Sequence, residues 1–311
     1  METVNDFETF YSLKLLPYLE KLKQQRNEMY NWKMLGILSA VGAFLFFVSF
    51  QASMLSDSLL LVCFFFILLV VSIYFYSKRS DQYLDNFKEK VIGQIITALN
   101  PTAVYKPMGF VSQKEYKASG LYRKKYTQFD GDDYWEGIYK NVAFHCSEIE
   151  TNYEDSTGKV QHIFKGLFFS ARLRSNFRGG TYVWGRGEEQ LPVSVTDDHH
   201  RMFQLPDVRR FDMGNSAFHQ HFSVYGLDSS EAAYIIDQPM MQHMLRLKAK
   251  LQRKIVFSFV AGRCYVAVPI HENLLEPDPR DITNKETIKT YFFTILLVFS
   301  IINELELNRL A

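Results

Sequence analysis

Two apolar runs near the N-terminus constrain the fold of this chain more than any other feature. MLGILSAVGAFLFFVSF (Met34–Phe50) and SLLLVCFFFILLVVSIYFYS (Ser58–Ser77) are joined by QASMLSD, and Asp57 is the only charged residue between Lys33 and Lys78. A helix rises about 1.5 Å per residue, so roughly 20 apolar residues cross a hydrocarbon layer about 30 Å thick. The uncharged windows 34–56 and 58–77 both reach that length, and spans are expected over Met34–Phe50 and Ser58–Tyr76. The unbroken bulky run from Cys63 to Val70 argues against a hairpin buried in a soluble core. A cleaved signal sequence fits poorly, since no A-x-A site follows the first run.

Basic residues set the expected orientation. Lys21, Lys23, Arg26 and Lys33 precede the first span, Lys78, Arg79, Lys88 and Lys90 follow the second, and QASMLSD has none. The positive-inside rule then places the connector outside and both termini on the cytoplasmic side, with Lys33, Lys78 and Arg79 as the residues that set topology. Tyr30, Trp32, Tyr74 and Tyr76 form an aromatic belt at the inner boundary. The spans hold no ionisable side chain, which argues against a channel or carrier. Gly36/Ala40 and Ser39/Ala43 repeat a small-xxx-small spacing that permits close helix packing, within the hairpin or between copies.

Residues 1–32 read as an amphipathic helix, with Phe7, Tyr11, Leu15, Leu19 and Leu22 near one face and Pro17 as a kink or restart. The hairpin takes 33–78, and 79–104 form a second flanking helix through Tyr83, Phe87, Val91, Ile95 and Leu99, stopped by Asn100-Pro101. The two flanking helices are expected to pair as a cytoplasmic stalk.

From 105 to 311 the pattern changes to short β runs with turn signals, so the fold class is α+β with a mainly antiparallel sheet and flanking helices. Strands are expected in 141–153, 159–173, 181–185, 219–226, 254–262 and 263–271, with a turn at DSTG (155–158) and a hairpin about Ala261-Gly262. Residues 228–252 are helical, capped by Asp228 or Ser229 and split by Pro239. The last helix, 283–308, has its apolar core in Tyr291–Ile302, short for a span, so a buried or interface helix is expected rather than a third crossing.

Several of these stretches carry a resemblance. The double span, FKGLFF (Phe164–Phe169), FSVYGLDSSEAAYII (Phe222–Ile236) and the FSF…YVAVPI hairpin are similar to a bacterial family known as a domain of unknown function, number 3137. The resemblance implies an inner-membrane protein with a cytoplasmic domain. It implies no activity, and it suggests a LemA-like membrane protein as a partner.

Composition excludes several classes. A net charge of +1 over 311 residues gives no global field for nucleic acid. Cys63, Cys146 and Cys264 lack CxxC spacing and read as reduced thiols. No P-loop, GxSxG, GxGxxG or HExxH occurs, and no cofactor is expected. His145 and Cys146, adjacent in a strand, point to opposite faces.

Three local constellations remain. His219 and His221 as HxH on a strand, with Asp198 and His199 from the Asp197–His200 loop, offer metal-ligand types. FDGDDYWEG (129–137) reads as a solvated turn, because Asn141 occupies the position where a calcium loop needs Glu. RGGTYVWGRGEE (178–189) reads as a β-hairpin rather than an RNA-binding element. The expected function is a non-enzymatic membrane-anchored scaffold or binding module, contacting the bilayer and either further copies or another membrane protein. The alternatives are a metal-dependent enzyme using the histidine loop, and a ligand sensor relaying to the spans.

Overall fold

The computed structural model describes residues 4–53, 56–174, 179–188, 208–278 and 281–310. They fall into two compact units, Met1–Gln94 with Glu276–Thr290, and Ile95–Leu275 with Tyr291–Ala311.

In the first unit, buried apolar residues recur at strict four-residue intervals: Phe7, Tyr11, Leu15 and Leu19 on one arm, Tyr83, Phe87 and Val91 on the other. An α-helix advances such a stripe by about 40° per step. Each arm corrects the drift with one π turn, at Tyr11–Leu15 between α1 (Val4–Phe10) and α2 (Leu16–Ser53), and at Lys88–Ile92 between α3 (Ser56–Phe87) and α4 (Gly93–Leu99). The wider i→i+5 bonding of a π turn carries the stripe back onto one face. The turn at Tyr11–Leu15 also sits just before Pro17, so the helix continues past the proline instead of breaking there.

Helices α2 and α3 form an antiparallel hairpin. Trp32 stacks on Phe75 at 4.6 Å and Phe46 on Phe65 at 5.6 Å. A Cβ added at Gly36 would sit 3.4 Å from Ser72 Cβ, and one at Gly42 only 2.8 Å from the Phe65 ring. Gly36 and Gly42 therefore serve packing within the hairpin. Beyond the apolar part the two arms, here called the stalk, stay together, and Asn86 Nδ2 donates to Gln25 Oε1 at 3.2 Å.

The second unit is a nine-stranded antiparallel sheet in the order β1-β2-β3-β4-β9-β8-β5-β7-β6. Its strands are β1 Val104–Lys106, β2 Gln128–Tyr139, β3 Val142–Glu154, β4 Val160–Arg172, β5 Gly180–Gly185, β6 Arg209–Phe211, β7 Phe222–Gly226, β8 Val256–Val260 and β9 Arg263–Pro269. Two-residue turns close β2–β3 at Lys140-Asn141 and β8–β9 at Ala261-Gly262, with φ positive at both residues of each. That geometry matches the twist of the paired strands.

One register row, Cys146, Phe169, Val266, Phe257, Val183 and Val224, lines the face that carries the C-terminal helices. There α9 (Lys285–Glu304) sets Phe299 against Trp135, Tyr139 and Phe144 at 4.7–6.0 Å. Its N-cap is Asn284, which accepts from Glu286 N at 2.9 Å. Asp228 and Asp237 cap α7 (Ser229–Ile235) and α8 (Gln238–Leu251), and Pro239 lies in the first turn of α8, where it needs no partner for a missing N–H.

The opposite face is covered by α5 (Gln113–Ser119) and the chain after it, giving a core of Tyr116, Leu121, Phe164, Phe168, Trp184, Tyr225 and Tyr265. Ser258 Oγ donates to Ser119 O at 2.6 Å, tying this cover to the sheet centre.

Three expectations change. RGGTYVWGRGEE forms no hairpin among its described residues: Gly180–Gly185 is one strand, β5, whose partners β8 and β7 come from distant parts of the chain. FDGDDYWEG is not a turn: it lies inside β2, whose register shifts between Asp132 and Trp135, with Asp133 at φ 54°. This bulge lets Asp133 N donate to Pro107 O and Tyr134 N to Gly109 O, so the backbone here is held as a bulged strand near the sheet edge. The histidine pair also differs: β7 begins only at Phe222, because Asn215 caps a short helix α6 (Ser216–His219). The side chain of Asn215 accepts from Phe218 N at 3.0 Å, which winds His219 into a helical turn and leaves His221 in the connection to the strand.

Candidate functional site

The most distinctive surface in the molecule is the outer wall of the α2–α3 hairpin. Ile37, Leu38, Val41, Phe44, Leu45 and Val48 on α2 are all exposed, as are Leu60, Phe64, Phe66, Ile67, Val70 and Ile73 on α3. Leu60 is 72% and Phe44 65% exposed. A wall of this extent is far larger than a soluble surface carries, and it matches hydrocarbon in length and chemistry. The polar groups in this stretch are satisfied locally: Ser39 Oγ donates to Leu35 O at 2.7 Å and Ser72 Oγ to Leu68 O at 2.6 Å, one helical turn back. Both serines are buried at the seam between the helices.

The helices extend into the connector, since Gln51–Ser53 belong to α2 and Ser56–Asp57 to α3; Met54 and Leu55 lie outside the described residues. The wall stretches from Met34 through Phe50 on α2 and from Leu59 to Tyr76 on α3, bounded at its other end by an aromatic and basic collar. Tyr74 is exposed, and Lys33 Nζ lies 5.7 Å from the Tyr30 ring. Lys78 is exposed, while Arg79 reaches Glu28 at 3.9 Å. Lys88 departs from the expected role of a basic flank: its side chain is 2% exposed and its Nζ lies 2.7 Å from Glu276 Oε1. A fully desolvated ammonium needs such a partner.

The expected metal ligands are only partly placed. Asp198 and His199 lie outside the described residues. His219 Nε2 accepts from Met213 N at 2.9 Å and stands 3.2 Å from Asp212 Oδ1, while Nδ1 faces Phe222 O at 3.3 Å. Both of its nitrogens thus hold the loop before β7, and a metal at Nε2 has to displace the Met213 bond. His221 is exposed.

A charged cluster that sequence reasoning missed sits on the α5 face of the sheet. Glu115 Oε1 lies 2.9 Å from His145 Nε2 and 3.5 Å from Arg263 Nη1, and Arg263 also donates to Ser170 Oγ at 2.9 Å. His145 and Ser170 are register partners, whereas Glu115 arrives from the first turn of α5. The local signal was present in the sequence: Ser112, Glu115 and Gly120 are the cap, third helical residue and left-handed terminator of a short helix. Burial raises the Glu115 carboxyl, but the His145 hydrogen bond and charge, with Arg263 and Ser170, outweigh it and hold the group below its ordinary range. Burial pushes the Cys146 thiol well above its ordinary value, with the nearby Asp133 charge adding to the effect.

A depressed folded-state carboxyl stabilises above its unfolded pKa, and that contribution is lost as pH falls through the folded value. Glu115→Gln is therefore expected to destabilise the sheet domain by about 1.5–3 kcal/mol near pH 7. The gap to the unsubstituted protein should shrink below the ordinary value near 4.5, as followed by denaturant unfolding between pH 7 and 3.

No curated protein matches this chain. A solved structure, the crystal structure of the mycobacterial trehalose monomycolate transport factor A, TtfA, is similar at 8% identity and a TM-score of 0.36, over 67% of this chain and 94% of that one. That likeness is too distant to carry an inference. Residues 162–307, from β4 to the last helical turn, match the model of the family described as "Protein of unknown function (DUF3137)".

Proposed function

We propose that this protein is a non-enzymatic assembly module of the bacterial inner membrane. In this reading α2 and α3 cross the bilayer, and the sheet domain stands on the cytoplasmic side, where it assembles with further copies of itself or with a membrane protein of the LemA type. The carrying observation is the uncharged, outward-facing apolar wall of the hairpin, ended on one side by Lys33, Lys78 and Arg79. Such a wall is stable in lipid because the helices satisfy their own backbone groups and the two serines satisfy theirs. The basic collar supports the inward placement of both flanks.

Cysteine labelling tests the topology. In a Cys63→Ser background, Ser56→Cys is expected to react with a membrane-impermeant maleimide on intact cells, and Lys90→Cys only after lysis. Labelling of Lys90→Cys in intact cells, or recovery of the protein in the soluble fraction, would overturn the placement. Mass measurement in mild detergent tests the assembly: a discrete oligomer or a co-purifying membrane protein is expected, and a solitary monomer rejects it.

A further inference from the structure

Arg172 ends β4, Arg263 opens β9, and the register sets the two arginines directly opposite each other. Both lie on the α5 face of the sheet, where Arg263 Nη1 donates to Ser170 Oγ at 2.9 Å and stands 3.5 Å from Glu115 Oε1. Opposed side chains of an antiparallel pair have Cβ atoms about 4.5–5.5 Å apart, and like charges so placed destabilise the pairing. Nothing in the same row relieves that repulsion. Its other members are Ala143 on β3, which the register places beside Arg172, and Val260 on β8, the partner of Arg263. The one acid that touches the pair among the described residues is Glu115, and it is divided between His145 and Arg263. Arg172 is exposed and has no ion pair among the described residues. Arg174, two residues further on, is exposed as well.

We propose that Arg172 and Arg263 form a binding site for a phosphoryl group, carried by a soluble phosphate monoester or by a lipid with a monoester headgroup. A guanidinium presents five donors in a planar fork that fits phosphate oxygens in pairs. Arg263 uses only Nη1 on Ser170 and Glu115, and no hydrogen bond engages its Nε or Nη2 among the described residues. Those two contacts hold the Arg263 fork in place before a ligand arrives, which lowers the ordering cost of binding. Arg172 supplies the second fork, next to the exposed Ala143. A carboxylate has two oxygens and one charge, enough for one fork. A phosphate monoester has three free oxygens and nearly two charges at neutral pH, enough to engage both and to replace their repulsion with charge-assisted contacts. The site lies within the sheet unit, so it does not depend on the topology of the hairpin.

The test is calorimetric titration of the full-length protein in mild non-ionic detergent, near neutral pH and at low salt. The probes are phenyl phosphate and, separately, a short-chain phosphatidate dispersed in the same detergent. Saturable binding of at least one probe is expected, and Arg172→Gln should weaken it about tenfold or more, as the loss of a hydrogen bond to a charged group does. Arg263→Lys keeps a cation beside Glu115 but gives up the fork, and weaker binding is expected there too. Denaturant unfolding of both variants verifies that they fold. Phenyl phosphate bound as tightly as phosphatidate supports the site with the phosphoryl group alone as ligand, and binding confined to phosphatidate supports it with a lipid source. No saturable binding of either probe overturns the site. Binding that Arg172→Gln or Arg263→Lys leaves unchanged overturns it as well.

Discussion

Replacing Phe64 and Ile67 together by arginine is expected to remove the protein from the membrane fraction. Both side chains point outward near the middle of the second apolar run, 58% and 63% exposed. Each arginine at a span centre costs about 2.5–3.5 kcal/mol on insertion scales. Fourteen Leu, Val, Phe and Ile residues occupy Ser58–Ser77, and at about 0.3–0.6 kcal/mol each they favour insertion by roughly 4–8 kcal/mol. Two central arginines, at about 5–7 kcal/mol together, cancel that and leave α3 unable to integrate. Membrane flotation of the variant checks the outcome. A variant that floats unchanged refutes the lipid-facing reading of α3, whereas a soluble-core reading predicts no dependence on lipid at all.

The second large effect lies in the sheet domain. Trp184 is fully buried between Tyr182 and Tyr225, with ring centroids 5.4 Å from each, and its Nε1–H donates to Leu121 O at 3.0 Å. It joins β5 to the chain after α5, so one side chain fixes the cover to the sheet. Trp184→Ala is expected to cost about 3–5 kcal/mol from the cavity, with up to about 1–3 kcal/mol more for the orphaned Leu121 carbonyl. Trp184→Phe keeps most of the packing and loses the bond, so about 1–2 kcal/mol is expected, within the range for a buried acceptor left unmatched. Denaturant unfolding followed by near-ultraviolet dichroism reads both variants. Equal losses for Phe and Ala would show that the hydrogen bond, and not the ring, carries the effect.

Sequence reasoning succeeded where the physics is local. The Asp228 cap, the Pro239 split and the Ala261-Gly262 hairpin depend only on neighbouring residues, and all appear where the pattern put them. It failed where a distant partner overruled the local signal. GDD in β2 resembles a turn, yet Pro107 and Gly109 supply backbone acceptors that hold it as a bulged strand. HQHFSVYG has strand-like residues throughout, but Asn215 captured its first part for a helical turn. The helix at Gln113–Ser119 was signalled by its own caps and hidden by its brevity, because seven residues show no clear apolar period.

By itself the sequence determined the two apolar helices, their basic flanks and the apolar stripe along each flanking helix. These follow from composition and spacing along one segment, which no partner can change. The tertiary structure alone decided the strand order, in which β4 pairs with β9 and β5 lies between β8 and β7. It alone buried Lys88 against Glu276 and brought Glu115, His145 and Arg263 together. Those partners are separated by up to 188 positions along the chain, as Lys88 and Glu276 are (276 − 88). A charge or strand carries no local mark of which distant partner will satisfy it; that choice is made when the two apolar faces of the sheet are covered and the surviving polar groups must pair within what remains.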